Sequence, residues 1–196
     1  MSTAATLQAQ REAVRRPVVP SAVLGTLIFV VSETMFFVGM ISAFTISKAG
    51  ALPGTWPVPG QPMLPAASTA LNTAALMLSG VLLLVGQRLW AKQHAQAKFV
   101  VLAAWALGLA FVALQGREWA ALLSQGLTMG SSRLGAFFYL IVGTHALHAV
   151  AALVFLGLAL VQLFRGTLKG GLFFGAQTFW YFVVVLWPVI YARVYF

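Results

Sequence analysis

Residues 135–150 read GAFFYLIVGTHALHAV. Two imidazoles, His145 and His148, stand near the middle of an apolar run that continues from residue 134 to residue 164. A helix needs about 20 apolar residues to cross a bilayer, so this run is long enough to span, with length left over for tilt or projection. Polar rings at that depth cost free energy unless something pairs with them. The rest of the chain therefore has to supply the surroundings in which two buried histidines are tolerated.

Composition says what those surroundings are. The chain has 196 residues, 61% of them hydrophobic and 8% charged, with a mean hydropathy of +0.92. A soluble core cannot absorb that much apolar surface, which places the chain in the membrane class. Five segments meet the spanning length, at about 19–47, 70–89, 99–123, 134–164 and 172–195. The expected fold is thus all-α, a single five-helix transmembrane domain over 19–196 preceded by a polar tail over 1–18. The first apolar run exceeds a signal-peptide core and lacks a small-x-small cleavage site, so it reads as a retained span. Between the first two spans lies ALPGTWPVPGQPMLP (51–65). Its prolines and glycines exclude a helix and predict an extended surface excursion.

The formal net charge is +9, yet the basic residues sit in tails and loops between apolar segments. Lipid headgroups and topology account for them, and no nucleic-acid partner is expected. With the N-terminus inside, Arg11, Arg15, Arg16, Arg88, Lys92, Lys98, Arg165 and Lys169 fall on the inner side, and Lys48, Arg117, Arg133 and Arg193 on the outer. That excess predicts N-terminus in and C-terminus out. Trp90 and Trp119 fall near span ends, as interfacial tryptophans do. Pro188 lies within the last span and is expected to kink it. There is no cysteine, which excludes disulfides and thiolate metal sites.

Chemistry-bearing residues are few. Of three acidic residues, Glu12 is in the tail. Glu33, in SETMFF, is near the middle of the first span, where an ionised carboxylate costs several kcal/mol. It must be neutral, paired, or facing a protein-lined cleft, acting either as a proton-relay acid or as a hydrogen-bonded helix contact. Glu118, in QGREWAALL, is near the outer end of the third span beside Arg117 and reads as an interfacial charge. His145 and His148 are one turn apart on one face. With the two glutamates they form a set of the kind carboxylate-bridged metal bundles use, although such bundles place Glu-x-x-His on one helix. The competing reading is hydrogen bonding and lipid contact, and it is the one carried forward, with no metal, cofactor or catalytic residue assigned to this chain. His94 is a solvated loop histidine. Asn72, Gln115 and Thr144 can bond neighbouring helices, and the four-residue spacings Ala104/Gly108 and Gly171/Gly175 permit close approach. No phosphate loop, dinucleotide fingerprint, zinc-protease helix or hydrolase triad is present.

Six stretches, taken in order, resemble heme-copper oxidase subunit III, the family found in cytochrome c and quinol oxidases. They are SETMFFVGMISAF (32–44), GTWPVPGQPMLP (54–65), LNTAALMLSG (71–80), LQGREWAAL (114–122), GAFFYLIVGTHALHAVAAL (135–153) and FWYFVVVLWPVIYARVY (179–195). The resemblance implies a short five-helix form without the two extra N-terminal helices of seven-helix members. It also implies a chain without heme or copper, packed on the catalytic subunit I with subunit II and small subunits nearby. Heme and copper would reside in those partners. The family binds phospholipid in a cleft, supports proton uptake and keeps the oxidase active through turnover. Its intramembrane glutamate matches Glu33, its glutamate before an aromatic matches Glu118, and its two histidines match His145 and His148. The expected setting is a bacterial inner membrane. In the last span the family has Trp-His-Phe-x-Asp, whereas this chain has Trp180-Tyr181-Phe182-Val183-Val184. Both ionisable members are replaced, so Trp180 and Tyr181 are expected to act through packing. Two rival readings are an accessory subunit of a nitric oxide reductase and a small metal-binding or transport bundle built on Glu33, His145 and His148.

Overall fold

The computed structural model describes residues 21–196. The expected N-terminal tail, with Glu12, lies outside the described residues. Those residues form five helices, α1 (Ser21–Ala49), α2 (Ala66–Ala91), α3 (Ala97–Ser124), α4 (Arg133–Phe164) and α5 (Gly170–Val194), and no strand. All five are long and apolar enough to cross a membrane, so the multi-pass all-α architecture stands. Pro188 lies inside α5, where it removes one backbone donor.

The helix ends show why the segments stop where they do. A carbonyl at a helix C-terminus has no partner within its own helix and must find one outside it. After α3 the chain turns through Gly126 at φ 89°, and the Leu127 amide returns to the Leu122 carbonyl at 3.0 Å. After α4, Gly166 at φ 68° allows the Thr167 amide to reach Gln162 at 2.9 Å. Glycine is the residue that enters this left-handed region without a Cβ penalty. α4 begins at Ser132, whose hydroxyl accepts the Gly135 amide at 2.9 Å, an N-cap of the usual kind. α2 starts directly after Pro65, four residues before the start at 70 expected from hydropathy.

Loop and ring contacts establish an up-and-down order. The loop after α1 meets the loop before α4 through Gln61 Nε2 donating to Ser132 Oγ at 2.6 Å. At the opposite end, Trp90 of α2 packs edge-on against Phe173 of α5, 5.1 Å between centroids. α5 touches α1, α2 and α4 and also meets α3, where Phe111 packs edge-on against Trp187, 5.1 Å between centroids; α3 otherwise touches α2 and α4, and among the described residues α1 touches α4 and α5. The last helix is therefore the hub. In its most apolar window 56% of residues are buried, against 17% for α1.

Small residues set the closest approaches. A Cβ on Gly108 would come within 2.5 Å of the Trp180 ring, and one on Gly80 within 2.9 Å of Val184. Trp180 and Trp187 are the largest fully buried side chains. A buried indole N–H requires an acceptor. Trp180 donates to Ser79 Oγ at 3.0 Å, and the Ser79 hydroxyl in turn donates to the Ala104 carbonyl at 2.7 Å. Trp187 donates to Thr73 Oγ1 at 2.8 Å. These bonds stitch α5 to α2 and α2 to α3 inside an otherwise apolar core.

Candidate functional site

The two histidines of α4 part company. α4 turns about 100° per residue, so positions three apart differ by about 60° around the axis, enough to address different neighbours. His148 turns toward α1, where its Nε2 lies 3.0 Å from Glu33 Oε2, with side-chain exposures of 12% and 23%. Its Nδ1 lies 2.7 Å from the Thr144 carbonyl. A carbonyl only accepts, so Nδ1 carries a hydrogen. One further proton then sits between Nε2 and the carboxyl, as a carboxylic acid donating to a neutral ring or an imidazolium donating to a carboxylate. Both forms have zero net charge, which answers the cost expected for an isolated ionised group at this depth. Phe37 and Phe182 flank the ring at 5.5 and 6.0 Å between centroids.

His145 faces the interior. It is 1% exposed, lies 5.0 Å from the Trp187 ring, and neither of its ring nitrogens has a hydrogen-bond partner among the described residues. Its polar needs are not met by Glu33.

Glu118 stands in a second cluster, on α3 against α2. Its Oε2 is 2.7 Å from Thr69 Oγ1 and 3.1 Å from Gln115 Nε2, and its Oε1 is 3.2 Å from Asn72 Nδ2. Gln115 Nε2 also reaches the Tyr195 hydroxyl at 3.1 Å, bringing in the end of α5. The carboxylate thus turns into the bundle and gathers three donors rather than resting as a free interfacial charge. It also forms part of a groove of about 540 Å³ shared with Arg117, Asn72 and Gln125.

The structure does not bring the four sequence-selected groups together. α1 has no contact with α3, so Glu33 and Glu118 belong to separate sites. Among the described residues no three His, Cys, Asp or Glu side chains converge as a metal cluster would require. On α5, Trp180 is fully buried and hydrogen-bonded as above. Tyr181 is partly buried, and its hydroxyl has no partner among the described residues.

Several polar contacts escaped the sequence reading. Thr69, Thr73, Ser79 and Tyr195 are common residue types at unremarkable positions. One signal pointed to Ser79 and Thr73. Each tryptophan in the middle of a span needs an acceptor, and a hydroxyl on a neighbouring helix is the usual way to supply one.

With this geometry in hand, comparison with known proteins becomes informative. The family model for cytochrome c oxidase subunit III matches residues 2–196. Among curated proteins, cytochrome c oxidase subunit 3 of Latimeria chalumnae is 33% identical over 193 residues, 91% of this chain and 70% of the relative. The subunit 3 proteins of Tachyglossus aculeatus aculeatus and Ornithorhynchus anatinus are 32% and 33% identical, each over 87% of this chain and 67% of the relative. A match along nearly the whole chain, joined to five spanning helices, establishes that this chain belongs to the cytochrome c oxidase subunit III family.

Proposed function

We propose that this chain is a non-catalytic subunit of a proton-pumping terminal oxidase that reduces oxygen to water in a bacterial inner membrane. It packs on the catalytic subunit I beside subunit II and smaller subunits, binds phospholipid and supports proton uptake. Heme and copper belong to those partners. The observation that carries this reading is the family match over residues 2–196. The site chemistry is compatible with it. Within the Glu33–His148 pair a proton can move between carboxyl and ring without changing the pair's net charge, and Glu33 sits on α1, the helix least covered by its own bundle.

The proposed orientation is N-terminus in and C-terminus out, because eight of the twelve basic residues then face the inner side. The absence of cysteine makes this easy to test. A single cysteine at Ala51 would react with an impermeant maleimide added outside intact cells, whereas one at His94 would react only after permeabilisation. The reverse pattern would invert the topology.

The functional test is to strip this chain from the purified oxidase. The depleted complex should begin with substantial oxygen consumption and then lose it faster during turnover than the complete one. Equal durability of the two preparations, with identical proton uptake, would overturn the assignment.

A further inference from the structure

Arg117 is a charge inside a spanning helix. It precedes the end of α3 at Ser124 by seven residues, about 10 Å along the axis. α3 has 28 residues and is about 42 Å long, against a hydrocarbon core of about 30 Å. With α3 centred in the bilayer, the Arg117 backbone lies below the headgroups and its long side chain reaches up to them. The residue is exposed, and it has neither a hydrogen bond nor an ion pair with any other described residue, Glu118 included.

Arg117 and Glu118 both line the groove of about 540 Å³ between α2 and α3. Glu118 Oε1 accepts only the Asn72 amide, at 3.2 Å, whereas Oε2 accepts from Thr69 and Gln115. A carboxylate oxygen has two acceptor sites, so Oε1 keeps one to offer. The rest of the groove is apolar and open: Leu71 is 75% exposed and Leu114 39%. Two turns further along α2, Leu78 continues that bare surface at 50%.

The paired charges say what fits. A purely anionic headgroup would satisfy Arg117 and be repelled by Glu118 beside it, and a cation alone would leave Arg117 unanswered. A zwitterion carrying a phosphate and an ammonium answers both, since a guanidinium binds phosphate oxygens through a planar fork. A primary ammonium donates hydrogen bonds to a carboxylate, which a trimethylammonium cannot do. A soluble zwitterion would leave the leucines bare, whereas an acyl chain covers them. We propose that this groove holds one phosphatidylethanolamine, with its phosphate on Arg117, its ammonium on Glu118 Oε1 and an acyl chain along Leu114, Leu71 and Leu78. The proposal rests on the phospholipid-binding reading above and gives it a place and a headgroup class.

The test counts phospholipids kept by the purified intact complex, wild type and Arg117→Gln, after exchange into vesicles of equal parts phosphatidylethanolamine, phosphatidylcholine and phosphatidylglycerol. Mass spectrometry should find one phosphatidylethanolamine fewer per complex in the variant. In the wild type, that position should favour the ethanolamine lipid over the choline lipid at least about fivefold, the effect of one charge-assisted hydrogen bond. An Arg117-dependent lipid with a choline or glycerol headgroup overturns the proposal. Phospholipid kept equally by both proteins removes this site and leaves the broader lipid-binding reading standing, whereas a complex holding no phospholipid removes both. Should Arg117→Gln fail to assemble, a density map of the wild-type complex in the same lipid mixture decides. A lipid phosphate about 3 Å from the Arg117 guanidinium with its amine at Glu118 supports the site. An empty groove, or a side chain of a neighbouring subunit lying in it, refutes it.

Discussion

Glu33 and Glu118 are the same side chain in the same membrane domain, and the bundle treats them in opposite ways. Glu118 is held by Thr69, Asn72 and Gln115 from two helices, so its acceptor capacity is largely used by groups that only structure can place. Glu33, on a helix with little cover of its own, has a single partner among the described residues, His148. Three fixed donors make a carboxylate a structural anchor. One titratable partner makes it a place where a proton can be shared. The difference follows from the neighbouring helix: α2 brings two polar residues to Glu118, whereas α4 brings Glu33 one imidazole, itself ringed by Phe29 and Phe37 of α1 and Phe179 and Phe182 of α5.

The sharpest way to break this contrast is Glu118→Ala. It should cost about 3 kcal/mol, read as a lowered thermal midpoint in detergent, because three donors lose their acceptor together. Glu118→Gln keeps one acceptor oxygen and should lose roughly half as much. A loss below about 0.5 kcal/mol for the alanine variant would return Glu118 to the class of free interfacial charges. Gly108→Leu probes the packing beneath, since its side chain must displace the Trp180 ring. A cost of about 2 kcal/mol is expected, with a shift in tryptophan emission.

Glu33 should respond more mildly. Glu33→Ala strands His148 Nε2 at 12% exposure and should cost about 1–2 kcal/mol. Glu33→Gln can still donate an N–H to a neutral ring and should recover most of that. If glutamine behaves no better than alanine, the pair needs an ionised carboxylate, and the form in which a carboxylic acid donates to a neutral ring is excluded. Tyr181→Phe should be the smallest change, within about 0.5 kcal/mol, because the hydroxyl it removes has no partner among the described residues.

What could be read from the sequence follows the range of each interaction. Hydropathy located all five helices because a span is a local property of about 20 residues. The end of α2 nearest the proline-rich loop was placed four residues late, at 70 instead of Ala66, because alanine and serine there carry no apolar signal while Pro65 sets a helix start. The need for Glu33 to find a partner was legible from its depth. Which histidine would answer was not, because a 60° difference in facing depends on how α4 is rotated against α1, and that is set by packing. The Glu118 cluster joins residues 46 and 49 apart in the chain, and Tyr195 reaches Gln115 from 80 residues away. No local pattern encodes such meetings. The replacement of an ionisable pair by Tyr181 and Val184 was visible in the sequence. Its consequence, Val184 seated against Gly80 and the Tyr181 hydroxyl without a partner among the described residues, needed three dimensions.

The central claim is that this subunit III family member works within a heme-copper oxidase, and a tag on this chain tests it most directly. Complexes captured through the tag from native membranes should carry heme and copper in a fixed ratio to this chain and should consume oxygen. Recovery of the chain, folded, with no heme or copper, alongside an oxidase that retains its full complement of both without it, would contradict the account.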